Sequence, residues 1–419
     1  MFYLISAFFF FTPFISLRAE EISLTLDEAV SLALRDNRDI LLKSEDVKIA
    51  QAKINEARAG LFPAFTVGGG WSDTRSLYAK DVSGFSSQAG AKQVIYSGGR
   101  VINSIKAGEY GYIAAEAALD KTRQEIILSV KKTFYTLFLS DKLLQLNKAI
   151  VDNTREHLDF IAARFSAGES SESEVIRMRF SLAGVAQSYE VSVSQLDSAR
   201  ALLNNLLFLD KETIIKAVGE FVYEPKEIAY DEAFLKALST RPEIRLAEAQ
   251  KNAAEKKIGI AKSAGRPQVY AAWDYYSNSH QAAGTTKNWN DYNLIGISVS
   301  WPIFDGKLAV SKVEQAIIDL KEAQLLKEKT QKDIALELKN AYFGLKDAAG
   351  KVKLAAEQIK VYKDNLSVME EKYKAGIASE LDLRDGQLSC AVALFSQSQS
   401  YYDYAIAKVE FEKATGGHS

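Results

Sequence analysis

The chain has 419 residues, 25% of them charged, and a formal net charge of −2, so it offers no basic surface for nucleic acid. Its single cysteine, Cys390, excludes a disulfide framework, a thiolate metal cluster and a lipid-attachment cysteine behind a leader. The length alone would allow two or three ordinary domains.

In chain order, the apolar run from Leu4 to Ile15, ending at Leu17-Arg18-Ala19, reads as a secretory signal peptide over residues 1–19, cut after Ala19. No basic residues precede the run, and a membrane anchor is the alternative. Pro13 interrupts it, however, and it falls short of the roughly 20 apolar residues a spanning helix needs. An exported protein without disulfides fits a bacterial envelope.

The remainder repeats itself. Leu26-Asp27-Glu28-Ala29 recurs as Tyr230-Asp231-Glu232-Ala233, and the same offset pairs Leu34 with Leu238, Lys53 with Lys257 and Pro63 with Pro267. Further on, Ile95-Tyr96-Ser97-Gly98 meets Ile303-Phe304-Asp305-Gly306, and Arg164-Phe165-Ser166-Ala167-Gly168 meets Lys372-Tyr373-Lys374-Ala375-Gly376. A period of about 200 residues is too long for a solenoid unit and implies two copies of one module. The expected organisation is a first repeat over 20–219, with a β-hairpin at 62–96 and a helical hairpin at 100–209. The second covers 220–419, with a β-hairpin at 267–304 and a helical hairpin at 307–415.

Each repeat starts with helical pattern and then switches to period two. Phe65, Val67, Gly69 and Trp71 alternate with Thr66, Gly68, Gly70 and Ser72, and Ile295, Ile297, Val299 and Trp301 alternate with Gly296, Ser298 and Ser300. Four such strands of about ten residues suit a membrane β-barrel, with small hairpins packed on the helices as the alternative. Gly98, Gly99 and Gly306 then mark tight strand-to-helix turns. A phosphate loop is a poorer reading, because the Gly-Lys-Ser/Thr ending is missing.

Two proline-free segments follow, 100–166 and 307–373. The second carries Leu338, Leu345, Val352, Ile359, Leu366 and Tyr373 seven apart, with Ala341, Ala348, Ala355, Tyr362 and Met369 completing the seam. At about 1.5 Å per residue each would reach roughly 100 Å as a helix. A glycine turn ends each one, at Gly168 and Gly376, and Ser171 or Ser379 caps a returning helix. Four strands cannot close a barrel and hydrocarbon tolerates no open sheet edge, so several chains must share one barrel.

Over residues 22–416 the chain resembles the TolC-type outer-membrane factor family. The duplication carries the likeness, with Tyr96-Ser97-Gly98-Gly99-Arg100, Phe304-Asp305-Gly306-Lys307, Arg241-Pro242-Glu243-Ile244 and the tip Tyr373-Lys374-Ala375-Gly376 followed by Leu381-Asp382-Leu383. The resemblance implies a mainly α fold with a membrane β part. Long antiparallel helical hairpins form an α-barrel, and four strands per subunit join a trimeric, 12-stranded β-barrel. It implies a homotrimer in outer-membrane lipid that reaches into the periplasm and meets a periplasmic adaptor and, through it, an inner-membrane transporter. Asp382 and Asp385, six and nine positions after Gly376, match the acids that ring the family's periplasmic constriction; Glu174, six after Gly168, is the equivalent acid of the first repeat, and Tyr373 the tip tyrosine. Mutual repulsion within such a ring would raise the carboxylate pKa values. Ala378 stands where the best-known gating network has arginine, leaving Arg177 and Arg384 as alternatives.

The implied function is a passive exit duct for efflux or type I secretion, with no cofactor and no nucleic-acid partner. An enzyme is disfavoured: His157, His280 and His418 are the only histidines, and none has a metal-ligand neighbour at helical spacing. The alternative is a periplasmic coiled-coil adaptor or scaffold without a membrane barrel, in which Trp71, Trp273 and Ile297 would pack on the protein's own helices.

Overall fold

The computed structural model describes residues 21–77, 80–210, 212–219, 221–225, 229–282 and 288–417. The expected signal peptide and His418 lie outside them. The elements run β1 (Glu21–Leu24), α1 (Leu26–Asp36), α2 (Arg38–Ala59), β2 (Ala64–Leu77), β3 (Lys80–Tyr96), α3 (Arg100–Ser166), α4 (Glu172–Leu207), β4 (Ile214–Ala217), α5 (Tyr230–Thr240), α6 (Pro242–Ser263), β5 (Gln268–Ala282), β6 (Asn288–Ser300), α7 (Leu308–Lys374) and α8 (Glu380–Ala414). The order helix, helix, two strands, long helix, return helix occurs twice, and α3 and α7 are both 67 residues long.

Two compact units emerge, and neither coincides with a sequence repeat. One comprises the chain up to Asn37, Ile126–Lys226 and Gly344–Glu410; the other comprises Arg38–Glu125, Glu227–Phe343 and the segment from Phe411 onward. In the first unit, α1 starts with a capping box. Glu28 N–H donates to Thr25 Oγ1, and Thr25 N–H donates to the Glu28 carboxylate at 2.9 Å. Its counterpart α5, in the second unit, has Ala229 at its N-cap and therefore no side-chain cap. A short parallel pair, β1 with β4, buries Ile215. The α7 seam packs as its heptads imply: Ala348 and Val352 sit with Tyr404 and Ala407, and Ile359 with Cys390 and Ala393. Residues 221–225 lie over this core. Phe221 stacks on Tyr135 at 5.7 Å and meets Phe138 edge-on at 4.9 Å, and Tyr404 donates to Glu224 O at 2.7 Å.

The second unit contains the four-stranded antiparallel sheet, in the order β2-β3-β5-β6, so β2 and β6 are its edges. The two strand-to-helix junctions differ more than their matched sequences suggest. Gly98 and Gly99 both have positive φ, 65° and 89°, and a Cβ on Gly98 would come within 2.9 Å of Arg266 Cβ. Arg266 also donates to Gly98 O, tying the turn to the end of α6. Gly306, with φ 66°, faces open space and is followed by Lys307, itself left-handed at φ 72°. Gly98→Ala therefore incurs backbone strain and a collision, whereas Gly306→Ala incurs strain of about 1 kcal/mol only. Denaturant midpoints of the two variants should differ in that order.

One ion network joins this unit's helices. Arg241, only 2% exposed, grips Glu243 with two hydrogen bonds, 2.7 and 3.0 Å, and reaches Glu337 on α7 at 2.6 Å; Lys413 binds the other Glu337 oxygen at 2.6 Å. Burial opposes charge at both carboxyls, but the hydrogen bonds and charges of Arg241 and Lys413 outweigh it, so Glu243 and Glu337 titrate below the usual range. Because these folded-state pKa values are depressed, the stabilisation is complete above the ordinary glutamate pKa, near about 4.3, and disappears as pH falls through the lower folded values. Arg241→Ala should cost roughly 2–4 kcal/mol by stranding the mostly buried Glu243 carboxylate, while Glu337 keeps Lys413. Thermal melts of the variant should also show a flatter pH dependence over that acidic window.

Candidate functional site

Both helical tips are built alike, each within the first unit. At the α7 end, Gly376 takes φ 72°, its N–H donates to Tyr373 O at 3.0 Å, and Ile377 N–H donates to Lys372 O at 2.8 Å. Gly168 (φ 79°) does the same at the α3 end, with Gly168 N–H to Phe165 O and Glu169 N–H to Arg164 O. This is the left-handed stop that satisfies the last carbonyls of a helix and reverses the chain. Ser171 and Ser379 then cap the returning helices through the N–H groups of Glu174 and Asp382.

Asp382 completes its box by accepting from Ser379 N–H at 2.9 Å and Ser379 Oγ at 2.7 Å. Glu174 accepts from the Ser170 hydroxyl. Those Ser379 hydrogen bonds hold the Asp382 carboxyl below the usual range, and the Ser170 hydroxyl, then the Ser171 backbone, do so for Glu174. The rise expected from a carboxylate ring is thus opposed, within one chain, by capping. Asp385 lies one turn further along and 3.1 Å from His157 Nε2 of α3; His157 is 18% exposed and Asp385 56%. Next to this pair, Arg384 meets Glu156 of α3 and its carbonyl accepts from Asn153. Tyr373, in the last turn of α7, is exposed. Among the described contacts, none joins two of the four expected tip residues. Arg384 does hold a partner across helices, as the alanine at 378 invited, whereas Arg177 acts only as a distant charge on Glu174. Sequence reasoning set His157 aside and did not single out Glu156, because contacts between α3 and α8 leave no trace in local spacing.

The sheet carries the second feature, and its register sorts every side chain to a face. Phe65, Ala91, Trp273 and Ile295 stand in one row, and Val67, Ala89, Tyr275 and Asn293 in the next. This face is apolar yet open: Val67 is 88% exposed, Ile295 79% and Ile297 72%. Trp71 and Trp273 are exposed with them, so they do not pack on helices as the scaffold reading required. The opposite face carries Thr66, Gln88, Lys92, Asp274, Tyr276 and Ser298. No described helix is long and apolar enough to cross a membrane. A sheet with one apolar and one polar face is instead the pattern of a membrane barrel wall.

Comparison with known proteins bears on the family and the fold. The family model described as "Outer membrane efflux protein" matches residues 29–207 and 235–417. The toluene efflux pump outer membrane protein TtgC of Pseudomonas putida is 23% identical over 414 residues, covering 94% of this chain and 83% of its own. Outer membrane protein TolC of Escherichia coli is 21% identical, with 91% and 80% covered. Among solved structures, the Campylobacter jejuni CmeC outer membrane channel superposes with a TM-score of 0.76 at 20% identity, over 94% of this chain and 85% of that one. The resemblance read from the repeats is therefore confirmed, and the chain belongs to the outer membrane efflux protein family.

Proposed function

We propose that the protein is the outer-membrane exit duct of a tripartite efflux pump or type I secretion system. Three copies contribute four strands each to one 12-stranded barrel, and their helical hairpins line a passage through the periplasm. The observation that carries this reading is the four-stranded sheet with an exposed apolar face and two unpaired edges. Transport through it is passive: no step requires catalysis by this chain, and an inner-membrane transporter, reached through a periplasmic adaptor, supplies the energy. The relatives support that division of labour, being outer-membrane components of efflux pumps by name. Asp382, Asp385 and Glu174 form the cation-attracting constriction at the tips, with Tyr373 beside them, and adaptor contact opens it by shifting the tip helices.

The test of the duct is the native mass of detergent-extracted protein from the outer-membrane fraction. A discrete trimer is expected; a soluble periplasmic monomer would overturn the proposal. Face parity gives a sharper version. Ile297→Arg puts a charge on the apolar face at a cost of about 2–4 kcal/mol near the bilayer midplane and should deplete the trimer from the membrane. Ser298→Arg, one residue on and facing the polar side, should be tolerated.

At the tips, Asp382→Asn and Asp385→Asn should each lower the cation-over-anion preference in planar bilayers, and the double variant more so. Because capping depresses the Asp382 pKa, the charge and the cap it closes persist at neutral pH and are lost only as pH falls below the ordinary aspartate range. Unchanged reversal potentials in the double variant would remove these residues from the conduction path.

A further inference from the structure

The polar face of the sheet has chemistry of its own that a simple wet wall would not need. Gly68, Gln88, Tyr276 and Tyr292 form one row across the strands, and Thr66, Gly90, Asp274 and Leu294 form the adjacent row. Gln88 Nε2 donates both to Asp274 Oδ1 at 3.1 Å and to Tyr276 Oη at 3.2 Å, so one amide orients both groups. Tyr276 and Tyr292 stack with ring centroids 5.0 Å apart and planes within 19°. Asp274 lies flat across β3 because its neighbour there is glycine: a Cβ on Gly90 would come within 2.5 Å of Asp274 Oδ1. Gly68 and Gly296 leave open space on either side, where a Cβ would meet nothing within 4 Å.

The carboxylate is also uncompensated. Lys92 stands on the same face, yet its ammonium sits over the Tyr270 ring, 4.3 Å from the centroid, and the partner described for the Asp274 carboxylate is the neutral Gln88 amide. A fixed negative charge, oriented by a neutral donor beside stacked aromatic rings and the exposed Leu294, selects by chemistry. A hard metal ion would need several more oxygen ligands than the one carboxylate here. An anion would be repelled. A cation bearing apolar or aromatic groups finds a counter-charge, ring electrons and an apolar edge together.

We propose that Asp274, Tyr276 and Tyr292 form a wall site for organic cations with an apolar body. The site rests on the reading of the polar face as the barrel lumen, where three copies would surround the passage. Each contact is weak in solvent, so residence is brief and the site acts as a stepping place, not a trap.

The probe is benzyltrimethylammonium, with neopentylbenzene as its uncharged analogue of the same shape. In planar bilayers carrying the full-length protein, the cation should partially block the current. The half-blocking concentration should rise about fivefold in Asp274→Asn and about threefold in Tyr292→Leu, changes of a size that one lost charge or one lost ring accounts for. Equal block in wild type and both variants overturns the site, as does block that survives in Asp274→Asn but vanishes in Asp382→Asn/Asp385→Asn. If no current appears at all, the native mass decides the duct reading, which a monomer would overturn, and saturation-transfer NMR on detergent-solubilised protein decides the site separately. Transfer to the cation that falls in Asp274→Asn upholds it; equal transfer in wild type and variant, or transfer to neopentylbenzene as strong as to the cation, overturns it.

Discussion

The backbone of β2 and β6 sets the terms for the rest of the molecule. Each is an edge strand of 14 or 13 residues with one row of N–H and C=O groups that no described strand meets. In water such an edge is a hazard for aggregation; in hydrocarbon every unmet group costs several kcal/mol. The exposed apolar face suits hydrocarbon, because Val67, Ile295 and Ile297 are left open among the described residues. The edges must therefore be satisfied by strands from outside the chain. Four strands are too few to curl onto themselves, as closure requires a fixed tilt and stagger that small strand numbers cannot provide. On the duct reading proposed above, the barrel closes only when several copies assemble.

Away from the lipid the same economy governs charge. Arg241 is the deepest ionic group described, and it is never left with one partner: Glu243 is two residues away on the same helix start, Glu337 comes from α7, and Lys413 balances the second carboxylate. A lone buried guanidinium would not survive, since partial pairing is worse than an apolar substitute. The network also binds the chain's last helical turn to α7. Thr240 reinforces this by donating to Thr415 O at 3.1 Å, and Gly416 permits it, because any Cβ there would strike Thr240 Oγ1.

Much of this was legible in the sequence, for physical reasons that also mark where reading fails. Period-two alternation pointed to strands because one face is mostly apolar and slipping by one residue would reverse it. Glycine located the helix stops, because only a positive φ turns the chain there. The buried positions Leu338, Val352 and Ile359 followed from the seven-residue period. What escaped was non-local. The parallel pairing of β1 with β4 joins two four-residue segments too short to carry a pattern. Arg241-Pro242-Glu243-Ile244 stood out as a motif, but nothing in it names Glu337 or Lys413. His157 looked idle because its partner, Asp385, comes from a distant helix.

The tip acids show how a spacing can have a structural cause and a functional one together. From the left-handed glycine, three residues lead to the capping serine, and the third helical residue after it is Asp382 or Glu174. A carboxylate six places after the glycine is therefore what the turn itself favours, through the capping box and the helix dipole. Its presence says little about a pore. Asp385 is different. It lies in the second turn of α8, where no free N–H groups remain to be capped and the dipole's pull has faded. The helix gains nothing from an acid there, and the carboxylate instead faces His157 of another helix, 3.1 Å from its Nε2. If the tips ring a constriction, Asp385 is the carboxylate that folding alone does not explain, and the functional reading of the tip leans on it more than on its better-placed neighbour.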